Sequence, residues 1–528
     1  MIAVSDAWKN IQYRFLLPET FVEISVGVTD VGVHDLITAT GTNEAVFSNV
    51  SEIVNNPTTD VSKKYATLEH NLWALDGTRD LTPDSAPYVS AGYVSQDTSV
   101  ASVELTLPEV RTVPIPGFTI TWSSEYGEYP TSFAVIVKNG DTIVADTYVG
   151  DNASSVSEVS LEVTNYDSVT VEVYDWCLPY HRARIDLISF GHVLVFTKKN
   201  IMSFTHEQFG SLNSSEISKN SIEFTLDNTD GRWNPNNPSG LEQYLSERQI
   251  VTVRYGMDVD GTTEWIKAGT FYLSEWRAPS NGLEATFAAR DIFEYLLNEP
   301  YKGRTTGTLL QMVNDALSSA DVPDTLKVVI DSSLSNYTAT LEQEYTAAEV
   351  VQMCANAACC VMYQNRDGEL HIEPLNQIQT DYVISSALSY SHPEVTLSKP
   401  MKDVSVSYGE DLTYILNANL SGETQTVDNP MVNTAEQAAE IAAWVWRILK
   451  SRKTVSGEFR ADPRLDLFDL VSVESKYGVI MPVAITNIKY VYSGSFQASY
   501  TGVVLPEINV SSVLGEFILG LSELSEGV

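Results

Sequence analysis

Residues 221–245 read SIEFTLDNTDGRWNPNNPSGLEQYL, and this stretch decides the fold of the region around it. Ile222, Phe224 and Leu226 alternate with polar residues, which is the period-two pattern of a half-buried strand. The segment DNTDGRWNPNNPSG then concentrates Asp, Asn, Gly and Pro, which supply turn geometries that a strand cannot use. The pattern therefore predicts a strand followed by one long loop.

More strands are predicted after this loop. Residues 250–255 alternate again, Asp260-Gly261 is a hairpin signal, and GTFYLSEWRAP and LEATFAARD have the composition of two further strands. Asp291 to Leu297 is an apolar-rich run that predicts a short helix. Asn200 to Leu297 is thus predicted to be a compact antiparallel β unit with no catalytic motif of its own.

The order of these motifs resembles the tail hub proteins of bacteriophages and phage-derived particles. The shared pattern is a strand, D-N-x-D-G-R-W-N-P-x-N-P, a strand, a hairpin, G-x-F-Y-L-x-x-W, A-R-D and a helix. The resemblance covers residues 196–505 and a short Y-A-T-L-E…W-x-L-D-G motif that begins at Tyr65. It implies that this unit is the first of two tube-like β-barrels in a baseplate hub that caps the tail tube.

Length and composition indicate several packed domains. The chain has 528 residues, 43% of them hydrophobic, and a formal charge of 32 − 69 = −37. So few Lys and Arg residues argue against nucleic acid or an anionic membrane as a surface-bound partner. An acidic lumen would let DNA slide through as passing cargo, and solubility of a large assembly protein explains the acidity equally well.

Motifs for chemistry are missing. The histidines show no HxH or HExxH spacing, and there is no Walker loop and no GxSxG, so we expect no enzyme activity, no metal and no cofactor. Asn228-Thr229-Asp230-Gly231 mimics part of a calcium loop, but an EF-hand would then place Leu226 and Asn237 at ligand positions. A hydrolase pair of carboxylates leaves no linear signature, so that possibility stays open.

Targeting and redox signals are equally sparse. The N-terminus MIAVSDAWKNIQYRF has no apolar h-region, so no signal peptide is expected, and no apolar run is long enough for a membrane span. The four cysteines form no CxxC pattern, which predicts reduced cysteines in a protein made in a cytosol.

The N-terminal 85 residues divide into two predicted parts. Residues 1–30 contain an alternating strand at Val22, Ile24, Val26 and Val28, which we expect to join the first barrel; the alternative is that it begins a separate sandwich. Residues 31–85 are predicted to be an irregular connecting segment.

Residues 86–195 show repeated short strands separated by turn signals, at the spacing of a β-sandwich. Their order and the closing RARIDLISFG resemble a galactose-binding-like (jelly-roll) carbohydrate module. The candidate sugar-binding aromatics are Trp122, Tyr126, Tyr129, Trp176 and Tyr180. Because Trp122 and Trp176 both end strands, where an aromatic more often packs into the core, the favoured interpretation is a purely architectural domain.

Residues 196–528 have four predicted parts. Residues 196–300 are the first barrel, residues 301–380 form a small α/β domain, and residues 381–505 form the second barrel with a helix. Thr308 with Gln311 and Thr346 with Glu349 have capping-box spacing, and Thr434 with Gln437 caps the helix AEQAAEIAAWVWRILKS. The motif D-P-R-L-x-x-x-D-L-V at 462–471 resembles the second-barrel signature of hub proteins, with Phe468 where most of them have Gly. Residues 506–528 are a predicted acidic tail.

The predicted fold class is mainly β with a smaller α/β part: two tube-like β-barrels, an α/β insert and a jelly-roll insertion. The resemblance implies a structural protein of a virion tail, assembled in the host bacterial cytoplasm, that forms a homotrimeric hub. The implied partners are tail tube and distal tail proteins, and a tail-tip, spike or tape-measure protein. The alternative is a tail-tip protein that binds a receptor or host cell-wall glycan through residues 86–195. A secreted polysaccharide-binding protein is disfavoured because no signal peptide is expected.

Overall fold

A computed structural model describes residues 1–12, 19–29, 33, 36–45, 48, 50–53, 88–94, 101–123, 126–234, 236–237, 240–259, 261–278, 282–323, 326–341, 343–375, 379–409, 412–417, 419 and 421–505. The fold is mainly β with several sheets and few helices, as the sequence predicts. The Tyr65 motif and the predicted acidic tail lie outside the described residues. None of the helices among the described residues is long and apolar enough to cross a membrane.

The N-terminal part and the sandwich consist of one helix and a series of strands. These are α1 (Asp6–Gln12), β1 (Thr20–Thr29), β2 (Thr38–Gly41), β3 (Tyr88–Tyr93), β4 (Ala101–Arg111), β5 (Ile115–Thr121), β6 (Pro130–Asn139), β7 (Thr142–Val149), β8 (Val156–Val163), β9 (Tyr166–Trp176), β10 (Arg182–Ile185) and β11 (Leu187–Phe196). The sheet β2-β4-β9-β6-β7 and the strands β11, β5 and β8 share one hydrophobic core, and the sandwich is built around that core.

The first barrel segment contains residues 221–245. Its elements are β12 (Ile201–Phe209), β13 (Lys219–Asp227), β14 (Ile250–Val259), β15 (Thr262–Arg277), β16 (Glu284–Arg290) and α2 (Phe293–Leu296). The strand order is β12-β13-β16-β15-β14-β1, so the N-terminal strand β1 pairs with β14 on one edge and with β11 of the sandwich on the other. Ile222, Phe224 and Leu226 point into the core, as their alternation predicts.

A small α/β block follows the first barrel segment. Its elements are β17 (Thr306–Thr308), α3 (Leu309–Ser319), β18 (Val328–Ile330), β19 (Thr338–Thr340), α4 (Ala347–Ala357), β20 (Val361–Gln364) and β21 (Leu370–Glu373). Both predicted capping boxes are present, one at Thr308 with Gln311 and one at Thr346 with Glu349. Each box satisfies backbone N–H groups that the first helical turn leaves without partners.

The second barrel segment completes the described chain. Its elements are β22 (Gln379–Ile384), β23 (Glu394–Leu397), β24 (Met401–Tyr408), β25 (Leu412–Asn417), β26 (Glu423–Val427), α5 (Ala435–Leu449), β27 (Lys453–Phe459), β28 (Leu470–Glu474), β29 (Ile480–Tyr492) and β30 (Phe496–Val504). Thr434 caps α5 by accepting the backbone N–H of Gln437, as predicted. The sheet β25-β24-β26 covers the apolar face of α5, and the other strands form the barrel wall.

The two barrel segments belong to one 15-stranded sheet. Strand β29 is long enough to pair with β28 through its first half and with β12 through its second half, where Phe204 lies opposite Tyr492 and Phe209 opposite Asn487. The inward side chains of both segments also form a single hydrophobic cluster. Backbone pairing and a shared core therefore join the two segments.

Candidate functional site

The barrel junction is the loop Asp462–Asp469 and the groups that it contacts. The loop leaves β27 and enters β28. Within it Arg464 and Asp462 form a buried, forked ion pair with N–O distances of 2.5 and 2.9 Å. The Tyr490 hydroxyl donates to the carbonyls of Asp462 and Leu465, at 3.0 and 2.8 Å. The D-P-R-L signature thus forms a structural turn, because its polar groups are used internally.

Arg366 ties three parts of the chain together at this junction. It lies in the hairpin between β20 and β21, and only 4% of its surface is exposed. Its guanidinium donates to Asp466 at 3.1 Å, to the carbonyls of Pro463 and Leu465 at 2.8 and 2.6 Å, and to the carbonyl of Lys267 at 3.2 Å. Since Lys267 belongs to β15, one side chain of the α/β block bonds to both barrel segments.

Phe468, which stands where the resemblance to hub proteins implies Gly, has a backbone conformation that favours glycine. Its φ is +66°, in the left-handed region that a bulky residue rarely adopts. The turn is kept because the Phe468 N–H donates to the Ile485 carbonyl at 2.9 Å and its ring packs edge-on against Tyr363, with centroids 5.6 Å apart. Gly210 makes room for the ring, since a Cβ there would lie 2.5 Å from Phe468 Cζ.

The replacement Gly210→Ala should therefore destabilise the junction. The added methyl would also meet Leu467 Cδ2 at 2.7 Å, so the loop must shift. We expect the free energy of unfolding to fall by about 1–3 kcal/mol, as for other overpacked sites. Urea unfolding of three variants measures this effect: Gly210→Ala, Phe468→Leu and the double variant that combines them. If the clash is the cause, the double variant is less destabilised than the sum of the two single changes; simple additivity would contradict it.

His206 lies in a buried polar cluster beside the junction. Its Nδ1 is 2.5 Å from the Tyr255 hydroxyl and its Nε2 is 2.6 Å from Asn220 Oδ1. Burial lowers the pKa of His206 to about 4, so the imidazole is neutral at neutral pH. A neutral ring satisfies both contacts, because Nε2–H donates to Asn220 while Nδ1 accepts from Tyr255. The cluster is a satisfied core network with no open position for a substrate.

Asp291 is a second buried titratable group, and its burial makes the stability of the fold depend on pH. Burial raises the pKa of its carboxyl to about 8, and its Oδ1 accepts the Phe293 N–H at 3.2 Å. The pKa of Asp291 is higher in the folded than in the unfolded chain, so the fold is most stable while this carboxyl is protonated. That contribution to the free energy of unfolding is fully present below the unfolded pKa and is lost as pH rises through the folded pKa. Asp291→Asn keeps the acceptor and cannot ionise. We expect its stability relative to wild type to increase by about 1.4 kcal/mol per pH unit between about pH 5.5 and about pH 6.5. Urea unfolding of both proteins at the two pH values tests this. A difference in the free energy of unfolding that is the same at both pH values would contradict it.

The predicted sugar-binding aromatics occupy two different environments. The Trp122 side chain is fully buried, packs edge-on against Phe133 and donates its indole N–H to Ser157 at 2.8 Å. Trp176 is also buried, and its indole N–H donates to Glu128 at 2.9 Å. Neither indole presents a face to solvent, so these two residues pack into the sandwich core and cannot stack on a sugar in this conformation.

The three tyrosines of the predicted set lie nearer the surface. Tyr129 is half-buried against the sandwich core, and the Arg184 guanidinium lies 5.7 Å from the ring centroid of Tyr126. Tyr180 is 69% exposed and has a φ of +62°. A large aromatic side chain that is both exposed and held in a left-handed backbone conformation is an unusual arrangement, which is more common at binding sites than elsewhere.

A polar network supports the loop that carries Tyr180, and sequence reasoning missed its arrangement. The carboxylate of Glu128 is shared between the Trp176 indole and His181 Nδ1, which is 2.8 Å away. The neighbouring Arg182 donates to the Ser90 carbonyl at 2.6 Å and lies over the ring of Tyr93, a second exposed tyrosine. We name the exposed Tyr93 and Tyr180, together with the half-buried Tyr126, the tyrosine rim. The involvement of Tyr93 depends on the pairing of β3 with β10, for which the local sequence carries no signal.

Among the described residues, no group of three or more His, Cys, Asp or Glu side chains is arranged to hold a metal ion. The cysteines are unbonded; Cys354 is fully buried, and burial raises the pKa of its thiol, which leaves it protonated and unreactive.

Comparisons with known proteins give structural likenesses only. No protein-family model and no curated protein matches the chain. The 43 kDa tail protein of prophage MuSo2 from Shewanella oneidensis is 14% identical, with 59% of this chain and 97% of that chain covered and a TM-score of 0.43. A tail protein from Neisseria meningitidis MC58 is 12% identical, with 60% and 94% covered and a TM-score of 0.44. The family 32 carbohydrate-binding module of C. perfringens NanJ, solved with galactose, is 12% identical, with 33% and 99% covered and a TM-score of 0.20. The solved structures that match this chain thus include phage tail proteins and carbohydrate-binding modules, both of which the sequence analysis names.

Proposed function

We propose that this chain is a structural component of a phage or phage-like tail, in which three copies form a baseplate hub. The hub would close or adapt the tail tube and link it to the tail tip. Its partners would be tube and distal tail proteins on one face and a tip, spike or tape-measure protein on the other. The motif order at 221–297 and 462–471 points to this class of protein.

The observation that carries the proposal is the joining of the two barrel segments. Pairing of β12 with β29, a shared hydrophobic cluster and the contacts of Arg366 hold the segments in one orientation. Two barrels per chain and three chains would present six barrel walls around a channel, which suits a sixfold tube above and a threefold tip below. A flexible link between the barrels would leave their relative orientation undefined, and such a ring needs that orientation to be fixed.

Mass and shape in solution test this proposal. Light scattering of the purified chain over a range of concentrations, with negative-stain class averages, should give three times the mass of one chain and a ring with a central channel. A chain that remains monomeric at the highest concentration and shows no ring would contradict the trimeric hub. A ring of a different copy number would contradict the symmetry argument but not the role in a tail.

A second candidate function is carbohydrate binding by the tyrosine rim. It is favoured by the exposed, left-handed Tyr180 above the network of Glu128, Trp176 and His181. Aromatic faces cover the apolar C–H surface of a sugar ring, while neighbouring polar groups satisfy its hydroxyls.

A glycan array with the full chain and the variant Tyr180→Ala tests this second candidate. We expect binding to a cell-wall glycan and a loss of at least about tenfold in the variant, or ~1.4 kcal/mol. Tyr148→Ala is the matched control, because Tyr148 is 65% exposed on β7, outside the rim. Equal losses in both variants, or no binding to any glycan, would leave the sandwich with the architectural role that the sequence favours.

A further inference from the structure

The free edge of β23 is an unusual feature of the second barrel segment. This strand is the last in the order of the large sheet, and it pairs with β27. Within the described residues no strand pairs with its other edge, and all four of its residues are exposed. An open edge presents backbone N–H and C=O groups that can bond to another chain.

The apolar side chains of this edge lie on the face that elsewhere forms the core. Residues opposite each other in an antiparallel pair point to the same face. Val395 lies opposite the fully buried Val455, and Leu397 lies opposite Lys453 on the same face. Yet Val395 is 44% and Leu397 60% exposed. The core face of the sheet therefore continues to β23 without a cover among the described residues.

Positive charge is concentrated beside this edge. Residues 447–453 read RILKSRK, four basic residues out of seven in a chain with 69 acidic and 32 basic side chains. The nearest acidic residues along the chain are Glu440 and Glu458, and β23 itself carries one exposed carboxylate, Glu394. Lys450 and Lys453 are exposed, and Arg452 donates to the carbonyl of Ser398, next to Leu397. We call β23 together with Lys450, Arg452 and Lys453 the basic edge.

We propose that the basic edge binds an acidic surface of a second copy of this chain. The inference rests on the proposed hub and names the surface through which its copies associate. Charge complementarity indicates the partner, because the rest of the chain is strongly acidic and a second copy offers many carboxylates to these cations. Covering Val395 and Leu397 would supply affinity, while the lysines would set orientation and raise the association rate.

Charge reversal in the full chain tests the proposal. Lys450→Glu combined with Lys453→Glu should weaken self-association at least about tenfold in sedimentation equilibrium, or ~1.4 kcal/mol. Added salt should weaken wild-type association, since exposed charges are screened. Lys198→Glu with Lys199→Glu is the matched control, because it makes the same charge change at two exposed lysines in the turn between β11 and β12. Leu397→Ser tests the apolar part separately. Urea unfolding of each variant shows that it is folded.

The outcomes separate this inference from the hub itself. A wild-type oligomer that persists in the Lys450/Lys453 double variant overturns the inference and leaves the hub intact; the lysines would then only protect an exposed edge. Equal weakening in the Lys198/Lys199 control overturns it too, because net charge alone would be responsible. Binding of a DNA duplex that the double variant loses, with unchanged mass, would assign the edge to phosphate. A wild type that never associates contradicts both proposals.

Discussion

Replacing Arg366 with methionine should lower the free energy of unfolding by about 3 kcal/mol, the low end of the range for breaking a buried ion pair. The low end applies because the partner, Asp466, is 24% exposed and keeps part of its hydration. Methionine preserves the apolar stem but removes the donors to Asp466 and to three carbonyls. The three carbonyls would lose a buried donor, and Asp466 would lose its ion pair while keeping part of its hydration.

Urea unfolding and amide hydrogen exchange together measure this effect. Exchange should accelerate first in the hairpin 364–370 and in the loop 462–469, which Arg366 joins, and later in the barrel strands. Arg232→Met is the control, since Arg232 and its partner Asp230 are about half exposed and such pairs contribute less than about 1 kcal/mol. If both variants unfold alike, Arg366 does not hold the junction.

The replacement Trp233→Ala should have an effect of similar or larger size, about 3–5 kcal/mol. Trp233 is buried in the loop that follows β13, where its ring packs edge-on against Phe287 at 5.1 Å and lies 6.1 Å from Phe196. Its backbone N–H donates to Asn228 Oδ1 at 3.0 Å, so the side chain and the backbone both seat the loop on the barrel. Removing the indole leaves a cavity that the surrounding sheet cannot close.

Thermal and urea unfolding would show this loss as one cooperative shift, and amide exchange of residues 228–234 should become faster with it. Tyr477→Ala is the matched aromatic control, because 86% of Tyr477 is exposed and surface changes are usually within about 0.5 kcal/mol. A Trp233 variant as stable as this control would mean that the hydrogen bonds of its turns, and not the indole, hold the loop on the barrel.

Local features of the structure follow from neighbouring residues and were predictable. The alternation of Ile222, Phe224 and Leu226 places all three in the core because a strand has a period of two. The capping boxes at Thr308 and Thr346 form because three residues span the first turn of a helix. In both cases the interacting groups are close in sequence, so the chain carries the information locally.

The burial of the candidate sugar-binding aromatics could not be predicted from neighbouring residues. Trp122 and Tyr180 have the same aromatic signal in sequence, but one is fully buried and the other is mostly exposed. Burial depends on which strands cover a residue, and those strands are distant in the chain. Tyr93 joins the rim only because β3 pairs with β10, some 90 residues further along.

The amino-acid sequence by itself determined alternating strands such as β13, the starts of α3, α4 and α5, the mainly β class and the motif order that resembles tail hub proteins. It did not indicate α1 or β2, and β2 lies within the segment 31–85, which is predicted to be irregular. Tertiary structure alone decided that β12 pairs with β29 and that Arg366 reaches Lys267 and Pro463. It also decided that Phe468 takes a left-handed turn against Gly210. The physical reason is range: periodicity and capping act over a few residues, whereas the joining of the barrels depends on contacts between residues far apart in the chain.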